Sequence, residues 1–175
     1  MAPVWYFAYG SNMQTSTFCG RRGVTFSRAL PACAPGWCLV VDKPPLLPVG
    51  EAFANIVRDP TTEVFGVLYE ITAEELAHVE LTEGVLIGNY DRVEIAVTAL
   101  ASPSFAVTAS TLTSDRRDPA LQPSDRYMAC LVAGAEEHGL PAPYVARLRA
   151  IPTRPQTPEA IALRSIVDDV LARRR

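Results

Sequence analysis

The stretch VWYFAYGSNM, residues 4–13, constrains the fold of this chain more than any other. Residues 4–9 are nearly all large and apolar or aromatic, which predicts a buried strand. Gly10 follows that strand, and Ser11 is placed to cap a short helix over about 12–19. Because the first N–H groups of a helix have no partner inside it, this turn can bind an anion or serve as a plain tight connection.

The remaining segments predict strands first and helices last. Strands are expected at 24–42 (one or two, bent), 52–59, 63–71, 92–100 and 105–113, with DPTT (59–62) turning a hairpin between the second and third segments. Helices are expected at about 72–81, 124–138, 142–151 and 158–173. The first of these has Thr72 as its cap and Glu75 as its capping-box partner.

This order of elements predicts an α+β fold. We expect a single domain over residues 1–175, with a small mixed, strongly curved or barrel-like β-sheet flanked by helices. The C-terminal part of the domain, 158–175, is assigned to the last of these helices. The role of the proline- and cysteine-rich segment 30–48 stays open.

Composition narrows the classes of protein. With 49% hydrophobic and 20% charged residues among 175, the chain is expected to fold into a globular core. A net charge of −3 without a clustered basic face argues against a nucleic-acid partner. The N-terminal apolar run is too short for a signal peptide or a membrane span, so we expect a cytoplasmic protein without a membrane partner. Positive mean hydropathy permits an apolar interface and leaves a homodimer open.

Neither a metal centre nor a serine nucleophile is indicated. The four cysteines contain no C-x-x-C pair, and no phosphate-binding glycine motif suggests a nucleotide cofactor. His78 is expected to form a surface pair with Glu74, and His138 to end its helix. Ser11 therefore has no candidate base, and it lacks the flanking glycines of a nucleophile elbow.

Glu83 is the candidate for acid–base chemistry. It lies in ELTEGVLIGNYDR (80–92), just after the expected helix end, and Gly84 and Gly88 bracket the apolar residues 85–87. Apolar neighbours that desolvate a carboxyl group raise its pKa, which is what a general acid/base requires. A surface glutamate in a loop is the alternative.

Together the two stretches resemble the γ-glutamylcyclotransferase family. Its members begin with a strand that runs into Y-G-S-N-(L/M), matched here by residues 9–13, and they carry E-G-V-x-x-G-x-Y, matched by residues 83–90. The resemblance extends from about residue 4 to 151. Relatives that degrade glutathione typically read Y-G-S-L instead.

The resemblance implies a barrel-like fold with a cavity and release of 5-oxoproline from γ-glutamyl compounds without a cofactor. It implies Glu83 as general acid/base, and it implies contacts of Tyr90 and Tyr127 with the substrate, with Asn55 as a further pocket residue. The turn that would bind the glutamyl end consists of Tyr9, Gly10, Ser11, Asn12 and Met13.

The identity of the leaving group stays open at this stage. The γ-glutamyl group can be attached to an amino acid, to an amine, or to a biosynthetic intermediate that it protects. A non-catalytic module that binds an acyl-amino acid is the alternative from another class. Such a module has no physical need for the Glu83 carboxylate, so the presence of Glu83 favours an enzyme.

Overall fold

A closed β-barrel forms the centre of the molecule. The computed structural model describes residues 3–47 and 49–172. Within them the strands are β1 (Val4–Ala8), β2 (Arg28–Lys43), β3 (Phe53–Ile71), β4 (Asp91–Ala99) and β5 (Phe105–Thr113). The α-helices are α1 (Ala73–Glu83), α2 (Asp125–Glu137), α3 (Ala142–Arg149) and α4 (Pro158–Ala172). Two 3₁₀ turns, Ser11–Met13 and Val85–Ile87, and a π-helix, Ser16–Arg21, complete the elements.

The order of strands around the barrel is β1-β3-β2-β4-β5. Neighbouring strands are antiparallel, except that β1 pairs in parallel with β5, where Tyr6 lies opposite Ser110 and closes the barrel. The prediction of an α+β fold with a mixed, barrel-like sheet flanked by helices is confirmed. Among the described helices, none has the length and apolar character needed to cross a bilayer.

The predicted hairpin of 52–59 and 63–71 is wrong, because the two segments form the single strand β3. Both halves pair with β2 in the same direction, with Arg58 opposite Trp37 and Glu63 opposite Pro35. Residues 59–62 bulge from the strand, where the Asp59 carboxylate accepts hydrogen bonds from the N–H and hydroxyl of Thr61, at 3.0 and 2.7 Å. This local turn absorbs the extra residues, and the chain keeps its direction because β2 offers a continuous partner.

The helix predicted over 12–19 is also replaced, by the 3₁₀ turn and the π-helix. The Ser11 side chain caps neither of them in the described structure. Packing determines this segment instead, because α2 lies directly on the turn. A Cβ added at Gly134 would be 2.5 Å from the backbone nitrogen of Gln14, so only glycine permits this approach.

Helix α1 begins as predicted and ends later. Thr72 accepts a hydrogen bond from the N–H of Glu75 at 3.1 Å, but the Glu75 carboxylate bonds to Thr25 rather than closing a capping box. The helix continues to Glu83 and ends at Gly84, whose φ of 76° lies in the left-handed region. The last residues assigned to the C-terminal helix, 173–175, lie outside the described residues.

We expect Gly134→Ala to lower the free energy of unfolding by about 1–3 kcal/mol, because the new methyl group overlaps the backbone of the Ser11–Met13 turn. Urea denaturation measures the effect. Gly20→Ala is the control, since its Cβ meets no atom nearer than 4.0 Å. Equal losses in the two variants would argue against the close approach of α2 to the turn.

Candidate active site

A cavity of about 270 Å³ lies where the barrel meets the Ser11–Met13 turn, the end of α1 and helices α2 and α4. Most of the side chains predicted from the sequence line this cavity, namely Tyr9, Gly10, Ser11, Asn12, Glu83, Tyr90 and Tyr127. The fold therefore brings the two sequence motifs to one place. Within the described residues, no cluster of three or more His, Cys, Asp or Glu side chains is placed to hold a metal ion.

The Glu83 carboxylate joins the two motifs by hydrogen bonds. Its Oε1 accepts from Asn12 Nδ2 at 2.8 Å and from Arg22 Nη2 at 2.7 Å. The Glu83 side chain is 16% exposed and that of Arg22 is 8% exposed. A carboxylate so placed reaches the cavity while its position is fixed by two donors.

The expected desolvation of Glu83 by residues 85–87 does not occur. Leu86 is 82% exposed and Ile87 is 69% exposed, so the two larger side chains of this apolar segment point into solvent. The 3₁₀ turn over Val85–Ile87, closed at Gly88 with a φ of 70°, directs them outward. The immediate neighbours of the Glu83 carboxylate are the polar groups of Asn12 and Arg22.

Arg22 is a site residue that the sequence did not reveal. Its Nε donates to Asn12 Oδ1 at 2.7 Å, and its Nη1 donates to the hydroxyl of Thr82 at 3.0 Å. His78 lies 2.7 Å from the Arg22 carbonyl oxygen, so it supports Arg22 instead of forming the expected surface pair with Glu74. The RRG tripeptide does not distinguish Arg22 from Arg21. The difference comes from α1, whose side chains contact Arg22.

His138 ends α2 as expected, and its ring contacts two hydroxyl groups of the protein. The ring nitrogen Nε2 lies 3.3 Å from the hydroxyl of Tyr69 and 3.4 Å from that of Thr15. Burial lowers the pKa of His138. The histidine thus supports the base of the turn and does not line the cavity.

The cavity tyrosines are anchored to the barrel through their hydroxyl groups. Tyr90 donates to the carbonyl of Ala54 at 3.1 Å, Tyr127 accepts from the N–H of Ala54 at 3.0 Å, and Tyr9 donates to the carbonyl of Leu112. Burial raises the pKa of all three tyrosines, so they remain neutral hydroxyls. Tyr127 has no acceptor for its own proton among the described residues, and can donate it to a ligand.

The turn after β1 exposes backbone donors beside that hydroxyl. Met13 N–H bonds to the Gly10 carbonyl at 3.0 Å, which closes the 3₁₀ turn and leaves its first N–H groups without partners inside it. A Cβ at Gly10 would lie 3.4 Å from the Tyr127 oxygen, so turn and hydroxyl are in close contact.

Two predicted pocket residues lie away from the cavity. Met13 is completely buried in the core and does not line the cavity. Asn55 is also completely buried, and its amide bonds in both directions to the backbone of Ser114, at 2.7 and 3.0 Å. Both residues stabilise the walls. A single sequence does not distinguish a residue that lines a cavity from one that is buried behind its wall.

Sequence comparisons relate the chain to known proteins. Residues 63–148 match the AIG2-like family. The γ-glutamyl cyclotransferase aclK of Aspergillus oryzae is 30% identical over 167 residues, which cover 83% of this chain and 60% of the fungal protein. Human γ-glutamylcyclotransferase is 28% identical over 160 residues, covering 83% of this chain and 77% of the human protein. The chain is therefore similar to γ-glutamylcyclotransferases along 83% of its length.

The fold is also shared with a solved structure. A solved structure of a protein named γ-glutamyl cyclotransferase superposes with a TM-score of 0.77 at 23% identity, covering 98% of this chain and 99% of that one. The barrel and its flanking helices are thus common to this protein and to that one.

We expect Tyr127→Phe to destabilise the protein by about 1–3 kcal/mol, because the buried N–H of Ala54 loses its acceptor. Tyr144→Phe is the matched control, since the Tyr144 hydroxyl is buried without a hydrogen-bond partner in the described structure. That control should leave the urea midpoint nearly unchanged. Comparable losses in both variants would contradict the role given to the Tyr127 oxygen.

Proposed function

We propose that this protein is a γ-glutamylcyclotransferase that converts a γ-glutamyl amino acid or amine to 5-oxoproline and the free amine. The observation that supports this most is the position of Glu83. Its carboxylate lies in the same cavity as the Tyr-Gly-Ser-Asn turn and bonds to Asn12 of that turn at 2.8 Å. The sequence motifs are 71 residues apart at this contact, so their meeting in one cavity is specific.

The proposed reaction is an intramolecular aminolysis. The α-amine of the glutamyl group forms a bond to its own γ-carbonyl carbon, and the bond from that carbon to the leaving nitrogen breaks. Orientation of the two reacting groups supplies much of the acceleration in such a step. The reaction is redox-neutral and needs no cofactor for its balance.

Glu83 is proposed to carry the proton between the two nitrogens. The attacking ammonium must lose a proton before its lone pair can act, and the departing nitrogen must gain one. A carboxylate that accepts the first proton can deliver it to the second. The N–H groups of Gly10 and Ser11, with the Tyr127 hydroxyl, would donate to the oxygen of the γ-carbonyl as negative charge develops there.

A set of arginines at the cavity favours a leaving group with a carboxylate. Arg21, Arg126 and Arg164 all line the cavity. Asp168 pairs with both Arg21 and Arg164, while Arg126 forms no ion pair in the described part of the chain. Burial lowers the pKa of Arg126, as do the neighbouring cations Arg164 and Arg21, against the opposite effects of Cys130 and Asp168. A γ-glutamyl amino acid would supply the missing anion, and a neutral amine would not.

The two alternatives are less well supported. Removal of a γ-glutamyl protecting group from a metabolite uses the same bond changes and differs only in the leaving amine. A non-catalytic module would bind the glutamyl end without the carboxylate of Glu83. The partners that hold this carboxylate at the cavity, Asn12 and Arg22, are better explained by catalysis.

We expect Glu83→Gln to reduce release of 5-oxoproline by about a hundredfold or more, because the amide cannot accept or deliver the proton. Release is measured with a panel of γ-glutamyl amino acids and amines. Glu80→Gln is the control on the same helix, since Glu80 pairs with Arg92 and does not line the cavity. Near-normal turnover by folded Glu83→Gln protein would refute the assigned role.

We expect Arg126→Gln to lower kcat/KM for γ-glutamyl-alanine by about tenfold while changing that for γ-glutamyl-ethylamide little, since only the former has a carboxylate on its leaving group. Arg147→Gln, at an exposed arginine away from the cavity, controls for the loss of a charge. Equal effects of Arg126→Gln on both substrates would exclude recognition of that carboxylate.

A further inference from the structure

The chain contains one lysine, Lys43, and every other residue of that charge is an arginine. Lys43 is the last residue of β2 and lines the cavity, yet it is only 1% exposed. Lysine is rarely buried to this degree unless a partner compensates for its charge. None of the roles proposed above uses this residue.

The Lys43 ammonium group has two acceptors in the described structure. Its Nζ donates to Asn89 Oδ1 at 2.6 Å and to the Pro44 carbonyl at 2.9 Å, and it lies 4.3 Å from the centre of the Tyr90 ring. An ammonium group has three N–H donors, so one donor is left over. Within the described residues Lys43 has no carboxylate at salt-bridge distance, whereas Arg22 has Glu83.

Charged and titratable groups face Lys43 from the neighbouring elements. They are Glu83 at the end of α1, Arg116 after β5, and Tyr90 before β4. Burial, reinforced by the like charge of Arg116, lowers the pKa of Lys43 to about 8, against the opposite effect of Glu83. The positive charge of Lys43 is thus not fully compensated by a neighbouring carboxylate within the described residues.

Asn89 fixes Lys43 relative to the candidate acid/base. While its Oδ1 accepts from Lys43, its Nδ2 donates to the backbone carbonyl of Glu83 at 2.8 Å. One amide therefore connects the ammonium group to the residue that carries the catalytic carboxylate. A substrate whose amine is near Glu83 would have its adjoining groups within reach of Lys43.

We propose that the Lys43 ammonium group binds the α-carboxylate of the γ-glutamyl group, the carboxylate that 5-oxoproline retains after cyclisation. This inference rests on the proposed function. The α-amine and the α-carboxylate share one carbon, so placing the amine at Glu83 brings the carboxylate to the same side of the cavity. Arg22 is already engaged by Glu83, whereas Lys43 lines the same cavity and has no carboxylate at salt-bridge distance among the described residues.

The test compares two small molecules that differ by this carboxylate. L-5-oxoproline and 2-pyrrolidinone have the same lactam ring, and only the first carries the anion. We expect titrations followed by protein NMR to show tighter binding of L-5-oxoproline to the wild-type protein. Lys43→Met should weaken binding of L-5-oxoproline by about tenfold or more and change that of 2-pyrrolidinone by less than about twofold.

Two further variants make the result specific. Arg58→Met removes a cation that also lies over an aromatic ring, 4.0 Å from the centre of Trp37, but lies outside the cavity, so it should leave both affinities unchanged. Lys43→Arg keeps the charge and should retain the preference for L-5-oxoproline. Urea denaturation of each variant establishes that it is folded.

The pH dependence gives an independent readout. A carboxylate stays ionised throughout, so the affinity of wild-type protein for L-5-oxoproline should be steady below about pH 8 and fall above it as Lys43 loses its proton. Binding of 2-pyrrolidinone should not follow this change. In Lys43→Arg protein the fall should disappear, because a guanidinium group stays protonated in that range.

Equal weakening of both ligands by Lys43→Met would overturn the proposal and leave Lys43 a structural role. A wild-type protein that binds L-5-oxoproline no better than 2-pyrrolidinone would overturn it too. Turnover of γ-glutamyl substrates is measured separately. Carboxylate binding that depends on Lys43 without any turnover would count against the proposed function alone, and turnover without such binding would count against this inference alone.

Discussion

The bond network among Glu83, Asn12 and Arg22 is the interaction on which the candidate site depends. The carboxylate accepts one hydrogen bond from an amide at 2.8 Å and one from a guanidinium group at 2.7 Å, and the amide oxygen accepts a third from the same arginine at 2.7 Å. Each of the three side chains is therefore hydrogen-bonded to both of the others. Removing a single partner from such a buried set costs more than removing an isolated surface ion pair, because the remaining charges lose their compensation.

The barrel makes this network possible by bringing distant segments into fixed positions. Asn12 follows β1, Arg22 follows the π-helix, and Glu83 ends α1, so the network joins three segments that the fold brings together. Two glycines allow the close packing. A Cβ at Gly66 would lie 2.3 Å from the carbonyl oxygen of Ala8, and one at Gly134 would overlap the turn itself. Such contacts leave little freedom for the cavity wall to shift.

The sequence predicted those features that depend on neighbouring residues along the chain. The buried first strand, the capped start of α1 at Thr72 and the end of α2 near Gly139 all follow from local patterns, and each is present. The two motifs also predicted most of the residues that share the cavity, Met13 excepted, because a family resemblance carries information about distant contacts that periodicity lacks.

Features decided by long-range pairing could not be predicted in this way. The turn signal at residues 59–62 is real, yet it bends β3 without reversing it, since β2 pairs with both halves. Arg22 and Lys43 are similarly invisible, because neither lies in a recognisable motif. His78, Asn12 and Asn89 contact these two residues from other parts of the chain and hold them in position.

A lysine at position 43 suits the number of acceptors around its side chain. Two oxygens, from Asn89 and Pro44, are within hydrogen-bond distance of Nζ in the described structure. An ammonium group beside two acceptors has one donor for a ligand, whereas a guanidinium group has five donors and would leave more of them unsatisfied in a buried position. An ammonium group can also shift its pKa when desolvated, while a guanidinium group keeps its proton. A buried carboxylate site on this wall is therefore better served by the chain's one lysine than by another arginine.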